Sequence, residues 1–193
     1  MVKEYGVDLA FNSDEERKNA LEKSKRDPLT QLFTRAYLEP YFNSIKNELN
    51  KETIKAVAIV YFDINSFKEL NDQHGGHKTG DEALKIVADR LRNVTRRDDG
   101  LFRVGGDEFV AILPINDMSS QTVEDKKRRI NDNLFIEVNG IRVPFSVSAG
   151  FEIIHKGDER TAQQVLKVAD DKMYEDKEKI KREEKDIQED YSI

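Results

Sequence analysis

Three carboxylates stand out by position. Asp63 follows Ala56-Val-Ala-Ile-Val-Tyr-Phe62, an apolar run with no charged break. Asp107 and Glu108 close a Gly105-Gly106-Asp107-Glu108 segment that separates two short apolar runs, Leu101 to Val104 and Phe109 to Leu113. A run rich in β-branched and aromatic residues reads as a central strand covered on both faces. Two short runs joined only by Gly-Gly-Asp-Glu read as a hairpin. If that strand and hairpin are neighbours, their acids meet at one end of a sheet. Such hard oxygen ligands suit Mg²⁺, which takes one or two carboxylates, keeps waters and binds substrate phosphates; Mn²⁺ accepts the same donors. Each feature alone also has an ordinary reading, since Gly-Gly-Asp-Glu makes a good solvated turn and Asp often ends a strand.

The elements that must position these acids can be read from periodicity. Leu38, Tyr41, Phe42, Ile45 and Leu49 recur every three or four residues between Thr34 and Asn50, the stripe of an amphipathic helix. From Asp81, a second stripe runs through Leu84, Val87, Ala88, Leu91 and Val94, with Asp81 at the helix start. Ser119 or Ser120 offers a cap for a helix toward Asn131, and Leu134 to Val138, Asn139-Gly140 and Ile141 to Val143 form a second hairpin signature. Pro144 to Ile154 reads as a further strand; Val165, Leu166, Ala169 and Met173 mark a last helix. This order contains a βαββαβ core, so the expected class is α/β (α+β), ferredoxin-like or polymerase-palm, with a central, mainly antiparallel sheet flanked by helices.

The 193 residues suffice for one domain with flanking helix, and 37% hydrophobic against 36% charged residues is compatible with a folded interior. Residues 13–26 read as a polar lead helix with Ser13 as N-cap and Glu16 completing a capping box, ended by Asp27-Pro28. The tail over 182–193 is polar and is expected to fray. No run approaches the roughly 20 apolar residues of a membrane span, and the N-terminus lacks a basic-then-apolar secretory pattern. Cysteine is absent, which excludes disulfides and thiol zinc sites and fits the cytoplasm. A net charge of −6 argues against general DNA binding but not against a small phosphorylated ligand.

Arg103-Val104-Gly105-Gly106-Asp107-Glu108-Phe109 resembles the signature of the GGDEF domain, the catalytic domain of diguanylate cyclases. Asp27-Pro28-Leu29-Thr30 resembles that family's Asp-x-Leu-Thr opening, and Phe62 to Asp72 its Asp-x-Asp-x-Phe-Lys-x-x-Asn-Asp stretch. Val147-Ser148-Ala149-Gly150 and Ala169-Asp170-Asp171-Lys172-Met173-Tyr174 match two later segments in order. The resemblance covers residues 27–181.

It implies an enzyme that condenses two GTP into cyclic di-GMP and releases two pyrophosphates, with metal ions acidifying the nucleophile and steadying the leaving group. By resemblance Asp63 and Asp107 ligate metal with the carbonyl of Ile64, and Glu108 either ligates metal or accepts the 3′-hydroxyl proton. The triphosphate is expected over the backbone amides of Asn65, Ser66 and Phe67, with Lys68 as a charge partner. Lys177 and Lys181, four apart on the last helix, correspond to cations on the terminal phosphates; without the family they read as a solvated face. Guanine selection falls to Asn71 and Asp81, and Asp81 could equally be a helix N-cap. Arg96 and Asp99 form Arg-x-x-Asp with five residues between Asp99 and Gly105, matching the family's inhibitory product site.

The stretch from Asn71 to Asp81 is one residue longer than the family pattern, an extra glycine that a bulge can absorb. His74 and His77 lack a third ligand and are expected to be incidental; His155 reads as structural. Gln31 and Thr34 replace the usual Gly and Asn, Ile180 the usual Gly, and Lys181 the usual Arg, losing a bidentate fork. The alternative is a silent GGDEF domain that receives GTP or cyclic di-GMP; a cyclase with altered base choice is a third option, disfavoured by Asp81. One chain holds one half-site, so the resemblance implies a homodimer during catalysis and an upstream sensor domain in a longer protein.

Overall fold

The computed structural model describes residues 25–73, 76–115 and 121–190. The lead helix expected over 13–26 lies outside them except for residues 25–26, where Arg26 makes an isolated antiparallel bridge to Phe33. In chain order the elements are β1 (Phe33–Thr34), α1 (Arg35–Asn50), β2 (Ala56–Ile64), α2 (Phe67–Gln73), α3 (His77–Val94), β3 (Gly100–Arg103), β4 (Glu108–Ile115), α4 (Gln121–Asn131), β5 (Phe135–Val138), β6 (Ile141–Pro144), β7 (Val147–His155) and α5 (Ala162–Asp190).

β2 is apolar throughout because helices cover both its faces. Ala56, Ala58, Val60, Phe62 and Ile64 pack with Leu84, Val87, Ala88 and Leu91 of α3. Val57 and Ile59 turn the other way, toward Leu38, Phe42 and Leu49 of α1 and Val165 of α5. Tyr61 and Asp63 continue that second face, since alternate strand residues share a side. The sheet order is β1-β3-β4-β2-β7, with β5-β6 as a separate hairpin. β2 is antiparallel to both neighbours, and the only parallel pairing in this sheet among the described residues is β1 with β3. The expected mainly antiparallel α+β palm is therefore the observed one.

Several boundaries differ from expectation. The helix expected from Asp81 starts at His77, so Asp81 lies one turn inside it and cannot be its N-cap. Gly76 precedes the helix with φ 74° and ψ −153°, a backbone region essentially reserved for glycine, and so accommodates the lengthened loop. β1 was not anticipated, because two residues carry no readable alternation. The expected strand from Pro144 is split: β6 ends at Pro144, and β7 begins at Val147 after Ser146 has given its carbonyl to the Asn65 amide at 2.9 Å. The last helix runs to Asp190 through the segment expected to fray, assisted by the Lys181–Glu178 pair at 3.1 Å and by Arg182 donating to the Glu178 carbonyl at 3.1 Å. Ser119 and Ser120 lie outside the described residues.

α5 seats on β7 at Gly150, where an added Cβ would stand 2.1 Å from the Met173 amide nitrogen and 2.3 Å from the Ala169 carbonyl oxygen. Backbone atoms cannot yield as a flexible side chain can. Gly150→Ala should therefore destabilise the fold by about 1–3 kcal/mol, the usual cost of overpacking, read as a lower denaturation midpoint at unchanged slope. An unchanged midpoint would contradict this packing.

Candidate active site

The antiparallel register pairs Asp63 of β2 directly with Glu108 of β4. Asp107 is joined to the same point by backbone: its carbonyl accepts from the Ile64 amide at 3.3 Å. The hairpin closes through the Val104 amide donating to the Glu108 carbonyl at 3.0 Å. Glu108 folds back over Gly105, its Oε2 1.9 Å from where a Cβ would stand, so a side chain at 105 would displace the carboxylate. The turn is clamped from outside by Arg103, whose Nη2 donates to the Gly106 carbonyl at 2.8 Å while Nη1 pairs with Asp27 at 3.2 Å. Asp27 in turn accepts from the Thr30 amide at 2.8 Å and hydroxyl at 2.7 Å. Burial alone would raise the Asp27 carboxyl; Thr30 and Arg103 outweigh it and hold the group below its ordinary value. The Asp-Pro-Leu-Thr segment thus fixes the acidic turn through one arginine.

Charge at this strand end is crowded. Burial is the chief reason the Asp63 carboxyl is raised, with Asp107 and Asp170 adding to it and Lys177 opposing. Lys177, reaching down from α5, makes an ion pair with Asp63 Oδ1. Glu108 is likewise raised, first by burial, with Asp107, Asp63 and Asp170 adding to it and the nearby Tyr61 side chain opposing. Burial and Glu108 push the Tyr61 phenol well above its usual value. Among the described residues no three His, Cys, Asp or Glu side chains converge as a finished cage. The donors nevertheless fit a hard divalent ion that arrives with phosphate oxygens, because Asp63, Asp107 and Glu108 crowd one strand end and a lysine already balances Asp63.

The other predicted residues take distinct places. The Asn65 amide is spent on Ser146; its side chain donates to Ser146 Oγ and accepts from Ser148 Oγ, each at 2.7 Å. The Asn65 amide expected over a triphosphate is thus already engaged, and the next residue, Ser66, has φ 51°. Lys68 is exposed on α2. Lys177 lies on Asp63, whereas Lys181 pairs with Glu178. The Asn71 side-chain oxygen Oδ1 is buried without a hydrogen-bond partner and occupies the space a Gly80 side chain would fill, 2.1 Å from that Cβ position. Asp81 follows Gly80 and is exposed. Arg96 and Asp99 close a turn away from the acids: the Arg96 amide donates to Asp99 Oδ2 at 2.7 Å, and burial raises the Asp99 carboxyl. Sequence reasoning missed Tyr61 and Asp170 as neighbours of the acids. Period-two alternation from Asp63 was a signal for Tyr61, and the family-like Ala169-Asp170-Asp171-Lys172-Met173-Tyr174 segment contained Asp170 without giving it a role.

Residues 24–183 match the family model "Diguanylate cyclase, GGDEF domain", and the chain belongs to that family. Diguanylate cyclase DosC of Escherichia coli K12 is 31% identical over 152 residues, which cover 77% of this chain and 32% of DosC. The chain thus spans about a third of the length of that curated relative. The isolated GGDEF domain of TpbB from Pseudomonas aeruginosa superposes with TM-score 0.70 at 30% identity, covering 80% of this chain and 89% of that one. The GGDEF domain of DgcB from Caulobacter crescentus, solved in complex with c-di-GMP, gives TM-score 0.70 at 25% identity over 80% of this chain and 91% of that one.

A carboxyl raised in the fold holds its proton more tightly there than in the unfolded chain, so ionised Glu108 subtracts stability above its ordinary value of 4.5. Glu108→Gln should therefore raise the melting temperature near neutral pH, the gain shrinking to nothing as pH falls below about 4. Calorimetry across that range checks it; a variant less stable at neutral pH would contradict the crowding.

Proposed function

We propose that this domain is a Mg²⁺-dependent diguanylate cyclase that joins two GTP into cyclic di-GMP. Each 3′-oxygen forms a bond to the other nucleotide's α-phosphorus; the bond to the β-phosphate oxygen breaks and pyrophosphate leaves, twice per product. The observation that carries this reading is the meeting of Asp63, Asp107 and Glu108 at one strand end with Lys177 beside them.

The carboxylates of Asp63, Asp107 and Glu108, with the Ile64 carbonyl, would hold the metal. When bound, it supplies Lewis-acid activation of the 3′-hydroxyl and charge relief for pyrophosphate. The chain's own residues bind and orient. Lys177 and Lys181 extend from α5 as cations for the terminal phosphates, and the Ser66 and Phe67 amides offer donors at the β2–α2 turn. Lys68, exposed on α2, adds a charge at its rim. The partnerless Asn71 oxygen beside Gly80 accepts from a guanine donor, and Asp81 supplies a second acceptor; adenine lacks the matching pair and would leave these groups unmet. Glu108 takes either a place on the metal or the 3′-hydroxyl proton.

One chain carries one set of acids, so two chains must face each other for both bonds to form, which supports a homodimer in catalysis. Arg96 and Asp99 serve as the inhibitory site for cyclic di-GMP, arginine matching phosphate and guanine edges. The relatives' greater length supports an upstream sensor domain, and GTP as substrate supports a cytoplasmic setting. No helix among the described residues is long and apolar enough to cross a membrane.

Incubation with GTP and Mg²⁺ should yield cyclic di-GMP by mass spectrometry, at a rate rising faster than linearly with protein concentration. Asp107→Asn should cut turnover by more than the roughly 10–100-fold typical of outer-shell losses at metal sites. No product from the wild type, even with Mn²⁺ and enforced dimerisation, would overturn catalysis and leave a nucleotide receptor. In the same assay Arg96→Ala should keep the initial rate and lose inhibition by added cyclic di-GMP; retained inhibition would remove Arg96 from the product site.

A further inference from the structure

We propose that Asp176 is the positioning residue that holds Lys177 over the nucleotide site, tying α5 to β7 and α4 by contacts that substrate does not disturb. This rests on the diguanylate cyclase reading and deepens it by naming what sets the reach of the phosphate-binding lysine. β7 is the outer strand of the sheet, so its outward amides and carbonyls have no strand to bond. At Val147 the side chain of Asn131, the last residue of α4, takes both: its Oδ1 accepts from the amide at 2.7 Å and its Nδ2 donates to the carbonyl at 2.9 Å. At Ala149 the Asp176 Oδ2 accepts from the amide at 3.0 Å. The other oxygen, Oδ1, pairs with Lys127, one turn before Asn131 on α4. The two side chains are largely buried, 16% exposed for Asp176 and 23% for Lys127, which sets their pair apart from a solvated surface contact.

The strand register ties this anchor to the acids. Ser148 pairs with Asp63 and Ala149 with Phe62, so the amide that Asp176 grips belongs to the residue next to the one facing Asp63. Lys177 follows Asp176 in sequence and reaches Asp63 itself. The apolar hold on α5 lies further back. Met173 is its last buried side chain among the described residues, packed where Gly150 lets the helix close on β7, and Lys172 donates to the Phe151 carbonyl at 3.0 Å. Past Lys177, Lys181 and Arg182 bond within the helix, to Glu178. The Lys177–Asp63 pair cannot fix the helix during the reaction, because Asp63 then serves the metal and Lys177 the terminal phosphates. Asp176 bonds to strand backbone and to Lys127, neither of which has a role at the nucleotide, so its hold persists when that pair opens. A shift on the order of 1 Å in this turn is enough to misplace a group at a reacting phosphate.

The test uses the full chain, Mg²⁺ and a non-hydrolysable GTP analogue, with affinity read by titration calorimetry at a temperature where each variant is folded. Asp176→Ala should weaken analogue binding about tenfold, within the range of coupling between neighbouring residues. In a Lys177→Ala background, which itself weakens binding, the same substitution should have no further effect. A purely structural aspartate would lower the melting temperature and leave affinity alone, so binding within about twofold of wild type would overturn the inference. Equal losses with and without Lys177 would overturn it too. Lys127→Met keeps the Ala149 bond and removes only the cation. It should weaken the analogue about threefold, again only when Lys177 is present; no change there overturns the inference even if Asp176→Ala does not fold. Lys177→Ala that binds like the wild type, or wild type that binds no analogue, would overturn the nucleotide-site reading itself, and this inference with it. A loss in Lys177→Ala without one in Asp176→Ala overturns this inference alone.

Discussion

Like charges brought together at the end of a buried strand are the constraint around which this domain is arranged. The β2–β4 register sets Asp63 opposite Glu108, and the hairpin return places Asp107 beside them. Carboxylates in such a place repel and lose hydration, which is why both Asp63 and Glu108 are shifted upward. The fold accepts that cost because β2 is pinned from both faces by α3 on one side and α1 and α5 on the other. A strand so covered cannot slip by one residue without turning its core-facing side chains outward. The acids therefore stay where the core puts them.

The surroundings answer the charge in three ways. Lys177 provides a countercharge to Asp63, and its partial burial strengthens the pair beyond a surface contact. Tyr61, diagonal to Glu108 on the same sheet face, sets a neutral side chain beside it where another carboxylate would add to the repulsion. Arg103 and Asp27 hold the turn from outside, tying the first turn of the domain to the hairpin 76 residues away. α5 can deliver Lys177 only because it lies close on β7, where Gly150 has no side chain and Asp176, one residue before Lys177, accepts from the Ala149 amide at 3.0 Å and pairs with Lys127. A crowded acid site and a helix carrying its cation are thus parts of one packing arrangement. Such strain at a site is the familiar exchange of stability for function.

Much of this was legible in the sequence. The unbroken apolar run from Ala56 to Phe62 announced a strand covered on both faces, and Gly105-Gly106 announced the turn, so the meeting of Asp63 with Asp107 and Glu108 followed from topology. What escaped depended on tertiary contact or on glycine used against its usual meaning. Gly80 looked like the end of a loop, yet it lies inside α3 because Asn71 and Phe67 close over it. Phe33–Thr34 is a strand only because β3 offers it an edge. The Asn65 amide looked free for phosphate until Ser146 was seen to take it. Lys177 showed as a cation of the last helix, but its partner in the absence of ligand could be found only in three dimensions.

The central claim is that the charge at the β2–β4 strand end is built for a metal-bound triphosphate, with Lys177 holding Asp63 until it arrives. Anomalous diffraction from crystals grown with Mn²⁺ and a non-hydrolysable GTP analogue tests this most directly. The account predicts a Mn²⁺ peak bridging the Asp63 and Asp107 carboxylates and the analogue's phosphates, with Lys177 moved off Asp63 onto a phosphate oxygen. A metal bound elsewhere, or Lys177 still paired with Asp63 beside a bound nucleotide, would contradict it.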